Sequence, residues 1–107
     1  MQKFFAGRTT PSATAWQNYS NGTGVFVDID TRSGNFSTAP VYLASLGGIS
    51  HHWATTGGSS IYPIPNGNPL TGFRIYVRWA DGKPMSKDDA YAHGWFINWM
   101  GIETVTD

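Results

Sequence analysis

Cysteine is absent from this chain of 107 residues, which excludes disulfide bonds and thiolate metal sites. Charged side chains make up only 13% of the residues, about half of the usual quarter. The seven basic and seven acidic residues cancel, so the chain has no basic field to attract nucleic acid or anionic lipid. No stretch approaches the roughly 18 consecutive apolar residues of a membrane span. These absences argue against a nucleic-acid partner and against membrane insertion.

Recognisable enzyme signatures are missing as well. The sequence has no Gly-x-Ser-x-Gly nucleophile elbow, no phosphate-binding loop and no His-Glu-x-x-His zinc motif. His51 and His52 would point to opposite faces of a regular strand, so the two cannot ligate one metal ion there. Residues 28–35 have the alternating oxygen ligands of a calcium loop but lack its closing glutamate, which favours a strand running into a turn. We therefore expect no catalytic residue, no metal ion and no cofactor.

Aromatic residues are abundant, at 15% of the chain, and comprise five tryptophans, five tyrosines and six phenylalanines. Thirteen glycines and six prolines accompany them. This composition is typical of β-structure with frequent turns, because aromatic residues favour strands and glycine and proline favour turns. A chain of this length makes one domain. We therefore assign residues 1–107 to a single domain and leave residues 1–12 open as an arm or stalk remnant.

Strand signatures dominate the sequence, because apolar residues recur with a period of two. The runs 25–29 and 73–79 alternate most clearly, and their odd-numbered residues should face the core. The arginines and the tyrosine between them in the second run would then lie on an outer face or in a subunit contact. Two further apolar runs cover residues 41–46 and 95–102, and the second is apolar on both faces. Turn signals separate the runs, so the chain predicts an all-β sandwich or barrel.

One segment has the features of a helix. Ser86 can cap the first amides, Asp88 and Asp89 suit the positive helix end, and Gly94 can close the last turn. We therefore expect one short helical turn near residues 86–93.

Three polar and aromatic groups fall at predicted strand ends, where loops gather at one pole of a sandwich. They are His51-His52-Trp53, Trp79-Ala80-Asp81-Gly82 and His93-Gly94-Trp95. A sugar site needs a ring for the C–H face of the sugar, an acceptor for adjacent hydroxyls and further donors that fix the epimer. The expected ligand contacts are His52, Trp53, Trp79, Asp81, His93 and Asp89. A core position for Trp79 and an ordinary turn role for Asp81 are open alternatives.

The order of motifs in the chain resembles the H-type lectin family of snail and slime-mould agglutinins. A Phe-x-x-x-Pro segment is present at 36–40, a Thr-Gly-Phe strand ending in tryptophan at 71–79, and a closing Trp-hydrophobic-x-Ile-Glu strand within 97–103. The resemblance covers residues 25–103. It implies a six-stranded antiparallel β-sandwich assembled as a parallel homotrimer. It also implies galactose or N-acetylgalactosamine as the ligand, bound between neighbouring subunits at one end.

The resemblance extends to individual site positions, with departures. Trp79, with the polar position after it, matches the site-lining strand end of the family, and His93 falls where the family often has a ligand-contacting tyrosine. The family's binding arginine has no counterpart here, and His52 and Trp53 occupy its neighbourhood. The loop 64–70 is inserted and the loop 82–92 is longer. Because these changes lie where selectivity would be set, the resemblance does not fix which sugar binds.

The sequence therefore predicts a carbohydrate-binding lectin, an agglutinin that is not an enzyme. We expect it to be secreted or surface-displayed, although the sequence shows no signal peptide. A homotrimer also has a physical reason, because outward Tyr76, Phe96 and Met100 need cover beyond the sandwich itself. Three weak glycan sites pointing the same way would gain avidity. Two alternatives stay open. One is a structural or receptor-binding tip of a tail fibre or adhesin, and the other is a small hydrolase, or its ancillary domain, using His52 or His93.

Overall fold

Seven strands and one helix make up the fold of residues 3–103, which are the residues that the computed structural model describes. The strands are β1 (Phe4–Arg8), β2 (Gln17–Tyr19), β3 (Gly24–Asp30), β4 (Pro40–Gly47), β5 (Thr55–Thr56), β6 (Gly72–Trp79) and β7 (Phe96–Glu103). The helix α1 covers Lys87–Ala92, and short 3-10 turns cover Pro11–Ala13, Arg32–Gly34 and His52–Ala54.

The strands form two antiparallel sheets, one of three strands in the order β1-β7-β4 and one of four in the order β2-β3-β6-β5. One core of buried side chains joins the two sheets, so the all-β, sandwich-like class predicted from the sequence is confirmed. The structure has seven strands rather than six. The shortest strand, β5, has two residues. Two residues are too few to show the alternation of apolar and polar side chains that identifies a strand. Residues 4–8, which the sequence left open as part of an arm, form β1 and pair with β7.

Burial confirms the alternation predicted for β3 and β6. Every odd-numbered residue from Val25 to Ile29 and from Phe73 to Val77 is at most 2% exposed. The register places Val25 opposite Val77 and Ile29 opposite Phe73, so these side chains share the inner face of the sheet. Trp79 continues the row but is only half-buried, because β6 ends there, at one end of the sandwich.

Tryptophans fill the inner face of the three-stranded sheet. Trp95, just before β7, is 0% exposed and Trp99, within it, is 7% exposed, which confirms the predicted core position of Trp99. The Trp99 ring lies 6.4 Å from Phe73 on the other sheet and 6.4 Å from Tyr42 on β4. Gly7 of β1 leaves room for this indole, because a Cβ at Gly7 would lie 2.6 Å from Trp99 Cε2.

Tyr76, Phe96 and Met100, the outward residues for which the sequence predicts cover beyond the sandwich, lie on two different surfaces. Tyr76 lies on the outer face of the four-stranded sheet, whereas Phe96 and Met100 lie on the outer face of the three-stranded sheet. The two patches therefore face opposite ways, and a single subunit contact on one side of the sandwich cannot cover both. Strand alternation shows which residues share a face of one strand but not which sheet the strand joins, so the sequence alone does not separate the two patches.

The predicted helical turn is confirmed as α1. The Asp89 carboxylate accepts a hydrogen bond from the Ser86 amide at 2.9 Å, which satisfies a donor before the first turn. Gly94 has a φ of 65°, a conformation that glycine adopts without strain, and it ends the turn after His93. Among residues 3–103, no helix has both the length and the hydropathy needed to cross a membrane.

Tyr42 links the two halves of the core through its hydroxyl, which lies 2.7 Å from Thr31 Oγ1 and donates to the Pro69 carbonyl at 2.6 Å. Burial raises the pKa of Tyr42 above its ordinary value of 10.0, because the phenolate would be poorly solvated. Because the pKa of Tyr42 is higher in the folded state than in the unfolded state, its protonated phenol stabilises the fold. This contribution to the free energy of unfolding is complete at any pH below the unfolded-state pKa. That contribution is lost as the pH rises through the folded-state pKa.

We predict that Tyr42→Phe lowers the free energy of unfolding by about 1 kcal/mol at neutral pH, through the lost hydrogen bonds. The variant should also lose less stability than the native chain when the pH rises above about 10, since it lacks the phenol that ionises there. Urea denaturation of both proteins at neutral and alkaline pH measures the two effects. Identical alkaline losses of stability in the two proteins would contradict the assignment.

Candidate functional site

Backbone hydrogen bonds bring together the three polar and aromatic groups singled out from the sequence. The amide of Ile49 donates to the carbonyl of His93 at 2.9 Å, which joins the loop after β4 to the end of α1. The amide of Ala80 donates to the carbonyl of Ala54 at 2.9 Å, which joins the end of β6 to the turn that carries Trp53. We call the resulting surface at this end of the sandwich the rim. It comprises residues 48–54, 79–82 and 93–95.

A cluster of rings forms the centre of the rim. His51 stacks on His93 with ring centroids 4.2 Å apart and ring planes 25° from parallel. Trp79 meets both imidazoles edge-on, with centroids 6.5 Å from His51 and 6.1 Å from His93. Beneath them the Trp95 indole lies 5.4 Å from Trp79. The structure therefore places Trp79 and His93, two of the predicted contacts, side by side.

Trp95 fixes the loop that carries the rim. Its indole Nε1 donates to the Ser50 carbonyl at 2.9 Å, and its ring packs edge-on against Trp16 at 6.5 Å. Gly48 lets this loop approach the indole, because a Cβ there would lie 2.5 Å from Trp95 Cδ1. The loop is thus held by a buried ring and a hydrogen bond, so the rim is formed before any ligand arrives.

Trp53 is exposed on the rim. Its exposed fraction is 85%, and Ile49 of the same loop is also 85% exposed. Trp53 lies in the 3-10 turn that follows His51, whose φ of 66° is unusual for a residue with a Cβ. Among the described residues, no aromatic ring packs against the Trp53 indole. Backbone strain beside uncovered apolar side chains is typical of a surface that contacts something else.

The other predicted contacts have different surroundings. The Asp89 carboxylate is bonded to the helix cap at 2.9 Å. Asp81 is exposed, accepts from the Lys83 amide at 3.0 Å and lies 3.7 Å from the Lys83 ammonium. His52 is half-buried, and within the described range its Nδ1 has no hydrogen-bond partner. Asp81 can therefore reach a ligand at the rim, whereas the carboxylate of Asp89 is already engaged.

A serine and a histidine of the rim lie within hydrogen-bond distance, at 3.1 Å between Ser50 Oγ and His93 Nδ1. This is the spacing of a nucleophile and its general base. In the described part of the chain, no carboxylate bonds to an imidazole, and no group of three or more candidate ligands could hold a metal ion. The orienting third member of a hydrolytic triad is thus not seen in the described residues.

A concave surface lies on the outer face of the four-stranded sheet, away from the rim. It is a cleft of about 570 Å³, which we call the tyrosine cleft. Its aromatic and polar lining includes Tyr19, Thr56, Ser60, Tyr62, Tyr76 and Arg78. Sequence patterns alone did not identify it as a site. The outward position of Tyr76 and Arg78 was the available signal, but Tyr19 and Tyr62 come from distant segments that only the fold brings together.

Comparison with known proteins yields no relative, because no family model, no curated protein and no solved structure matches the chain. The resemblance to H-type lectins therefore stays a prediction based on the motifs described above.

We predict that Trp53 is the indole most open to iodide in solution. Trp16, Trp95 and Trp99 are at most 7% exposed, so an anionic quencher can reach only Trp53 and part of Trp79. Trp53→Phe should remove most of the quenchable fluorescence, measured from the slope of iodide quenching, and the matched variant Trp79→Phe should remove less. An unchanged slope in Trp53→Phe would mean that Trp53 is covered in solution.

Proposed function

We propose that this protein is a carbohydrate-binding lectin, not an enzyme, whose sugar site is the rim. The observation that carries the proposal is the 85% exposure of Trp53, two residues after His51, whose ring stacks on His93. An indole offers a large, rigid face that loses little side-chain entropy on binding. Imidazoles beside it supply hydrogen-bonding groups that can distinguish one sugar epimer from another. Secretion or surface display is part of the same proposal, since glycans are its partners.

Each group has a distinct role in the proposed site. The face of Trp53 would pack against the C–H face of a pyranose. Ser50 bonds His93 through Nδ1, which leaves Nε2 for a sugar hydroxyl. Asp81 would accept from adjacent hydroxyls, and a charged acceptor makes the stronger hydrogen bonds. Galactose and N-acetylgalactosamine are the first ligands to test, because the family resemblance favours them.

A homotrimer would place three such sites on one assembly. The outer face of the three-stranded sheet carries two apolar rows that cross all its strands. These rows are Phe4, Ile102 and Val41, then Ala6, Met100 and Leu43. Phe4, Val41 and Leu43 are 64%, 48% and 55% exposed. An uncharged patch of this extent is typical of a surface that another subunit covers, and closed rotational symmetry covers it in every copy.

We predict that the assembled protein binds galactose-type oligosaccharides saturably in isothermal titration. Trp53→Ala should weaken binding about tenfold, because a ring contact of this kind contributes about 1.4 kcal/mol. Ile49→Ala is the matched control, since Ile49 lies in the same loop with the same exposure but offers no ring face. It should change the affinity little. Silence of the assembled protein across a broad glycan array would contradict the lectin proposal.

The assembly has its own prediction. Native mass spectrometry should give three times the chain mass of 11.7 kDa, and Leu43→Glu should give single chains, because it places a charge within the apolar patch. Ser45→Glu is the matched control. It lies on the same face of β4, but in the polar row with Asn98 and Arg8, so the trimer should persist. A native chain that is monomeric at micromolar concentration would contradict the trimer.

A structural or receptor-binding tip of a fibre is the second candidate function, and the exposed apolar face is the observation that favours it. Such a tip requires the trimer but does not require the rim. A stable trimer that binds no glycan would therefore favour the tip, and glycan binding weakened by Trp53→Ala would favour the lectin.

A further inference from the structure

The tyrosine cleft carries an inference that does not rest on the rim. Its aromatic surface comes from three elements: β2 supplies Tyr19, β6 supplies Tyr76 and the segment before β6 supplies Tyr62. The rings of Tyr19 and Tyr62 lie 5.2 and 5.0 Å from Tyr76, with planes turned by 70° and 87°. The cleft therefore offers flat apolar surfaces in two nearly perpendicular orientations. Tyr19 and Tyr62 are 47% and 46% exposed, so a ligand can reach them.

Hydroxyl groups surround these rings. In the described part of the chain, the side-chain hydroxyls of Tyr19, Tyr62, Thr56 and Ser60 make no hydrogen bond, whereas the Tyr76 hydroxyl accepts from Arg74 at 3.2 Å. Unpaired hydroxyls beside aromatic faces match a ligand that has both apolar C–H patches and many hydroxyls of its own. Pyranose rings have this combination, because their axial C–H bonds form an apolar face and their hydroxyls lie around its edge.

Two outward arginines of β6 differ in what they contact. Arg74 donates to both carboxylate oxygens of Asp28, at 2.6 and 3.0 Å, and lies 4.2 Å above the Phe26 ring. The hydrogen bond to Asp28 raises the pKa of Arg74 further above its usual value. Arg78, the next outward residue, is exposed and makes no side-chain hydrogen bond or ion pair with residues 3–103. No acidic residue lines the cleft, so the charge of Arg78 is available to an anionic ligand.

We propose that the tyrosine cleft binds a carboxylate-bearing oligosaccharide, with pyranose rings against the tyrosines and the carboxylate on the guanidinium of Arg78. Planar guanidinium and carboxylate groups form paired, charge-assisted hydrogen bonds. The volume of about 570 Å³ falls within the range of small-molecule sites, about 300–1,000 Å³. Uronic-acid chains and sialylated glycans share this chemistry. A proline-rich peptide is the other ligand that aromatic grooves accept, but it offers few hydroxyls to the free hydroxyls of the cleft.

Trigalacturonic acid and its fully methyl-esterified form are the matched probes, because they share one saccharide and differ only at the carboxyl groups, which are anionic in the acid and neutral methyl esters in the other. Isothermal titration of the full chain should show tighter binding of the acid. Arg78→Gln should weaken binding of the acid about tenfold, the effect expected for a charge-assisted pair, and should leave the ester nearly unchanged. Tyr62→Ala should weaken both probes. Sialyllactose, titrated in parallel, distinguishes sialylated glycans from uronic-acid chains as the natural source of the carboxylate.

Two control variants distinguish binding in the cleft from general charge attraction and from binding at the rim. Arg32→Gln removes an exposed arginine that pairs with Asp30 outside the cleft, and it should leave binding of the acid unchanged. Trp53→Ala, which tests the rim, should leave the preference for the acid over the ester unchanged, so failure of the rim proposal and failure of this one give different results. An equal loss in Arg32→Gln and Arg78→Gln would overturn the proposal in favour of general charge attraction. Binding of an oligoproline peptide without binding of either acidic saccharide would overturn it as well.

Discussion

The buried indole of Trp95 is the contact on which the arrangement of the rim depends. It is 0% exposed, yet its Nε1 bonds the Ser50 carbonyl at 2.9 Å and its ring lies 5.7 Å from His93 and 5.4 Å from Trp79. One side chain thus joins the loop after β4, the end of α1 and the end of β6. A fully buried aromatic residue stabilises the fold by roughly 3 kcal/mol, so this contact helps hold the segments in position in a chain that has no cysteine.

Most tryptophans and tyrosines of the chain lie in one of three places with different physical roles, namely the core, the rim and the tyrosine cleft. Trp16, Trp95 and Trp99 are in the core, where burial contributes most to stability. Trp53 and Trp79 lie at the rim with part or most of their surface open, and Tyr19, Tyr62 and Tyr76 line the cleft on the outer face of the four-stranded sheet. Tyrosine suits that face, because its ring can pack while its hydroxyl stays in water. Arg78 supplies the positive charge of that cleft, and no acidic residue is in its lining.

Local patterns allowed part of this organisation to be predicted from the sequence. Strand alternation identified the core of β3 and β6, and capping residues identified α1, because both signals arise within a few consecutive residues. The stacking of His51 on His93 could not be foreseen, since it depends on the pairing of β4 with β7. Likewise, no local pattern shows that Tyr76 and Phe96 belong to strands of different sheets. The cleft was missed for the same reason.

Sugar binding at the rim is the central claim, and the five tryptophans provide a direct test. Each indole N–H gives its own signal in a proton–nitrogen correlation spectrum. Titration with a galactose or N-acetylgalactosamine oligosaccharide should move the signals of Trp53 and Trp79. The signal of Trp99, which is buried in the core outside the rim, should stay in place. Saturable binding that leaves the Trp53 and Trp79 signals unmoved would contradict the account.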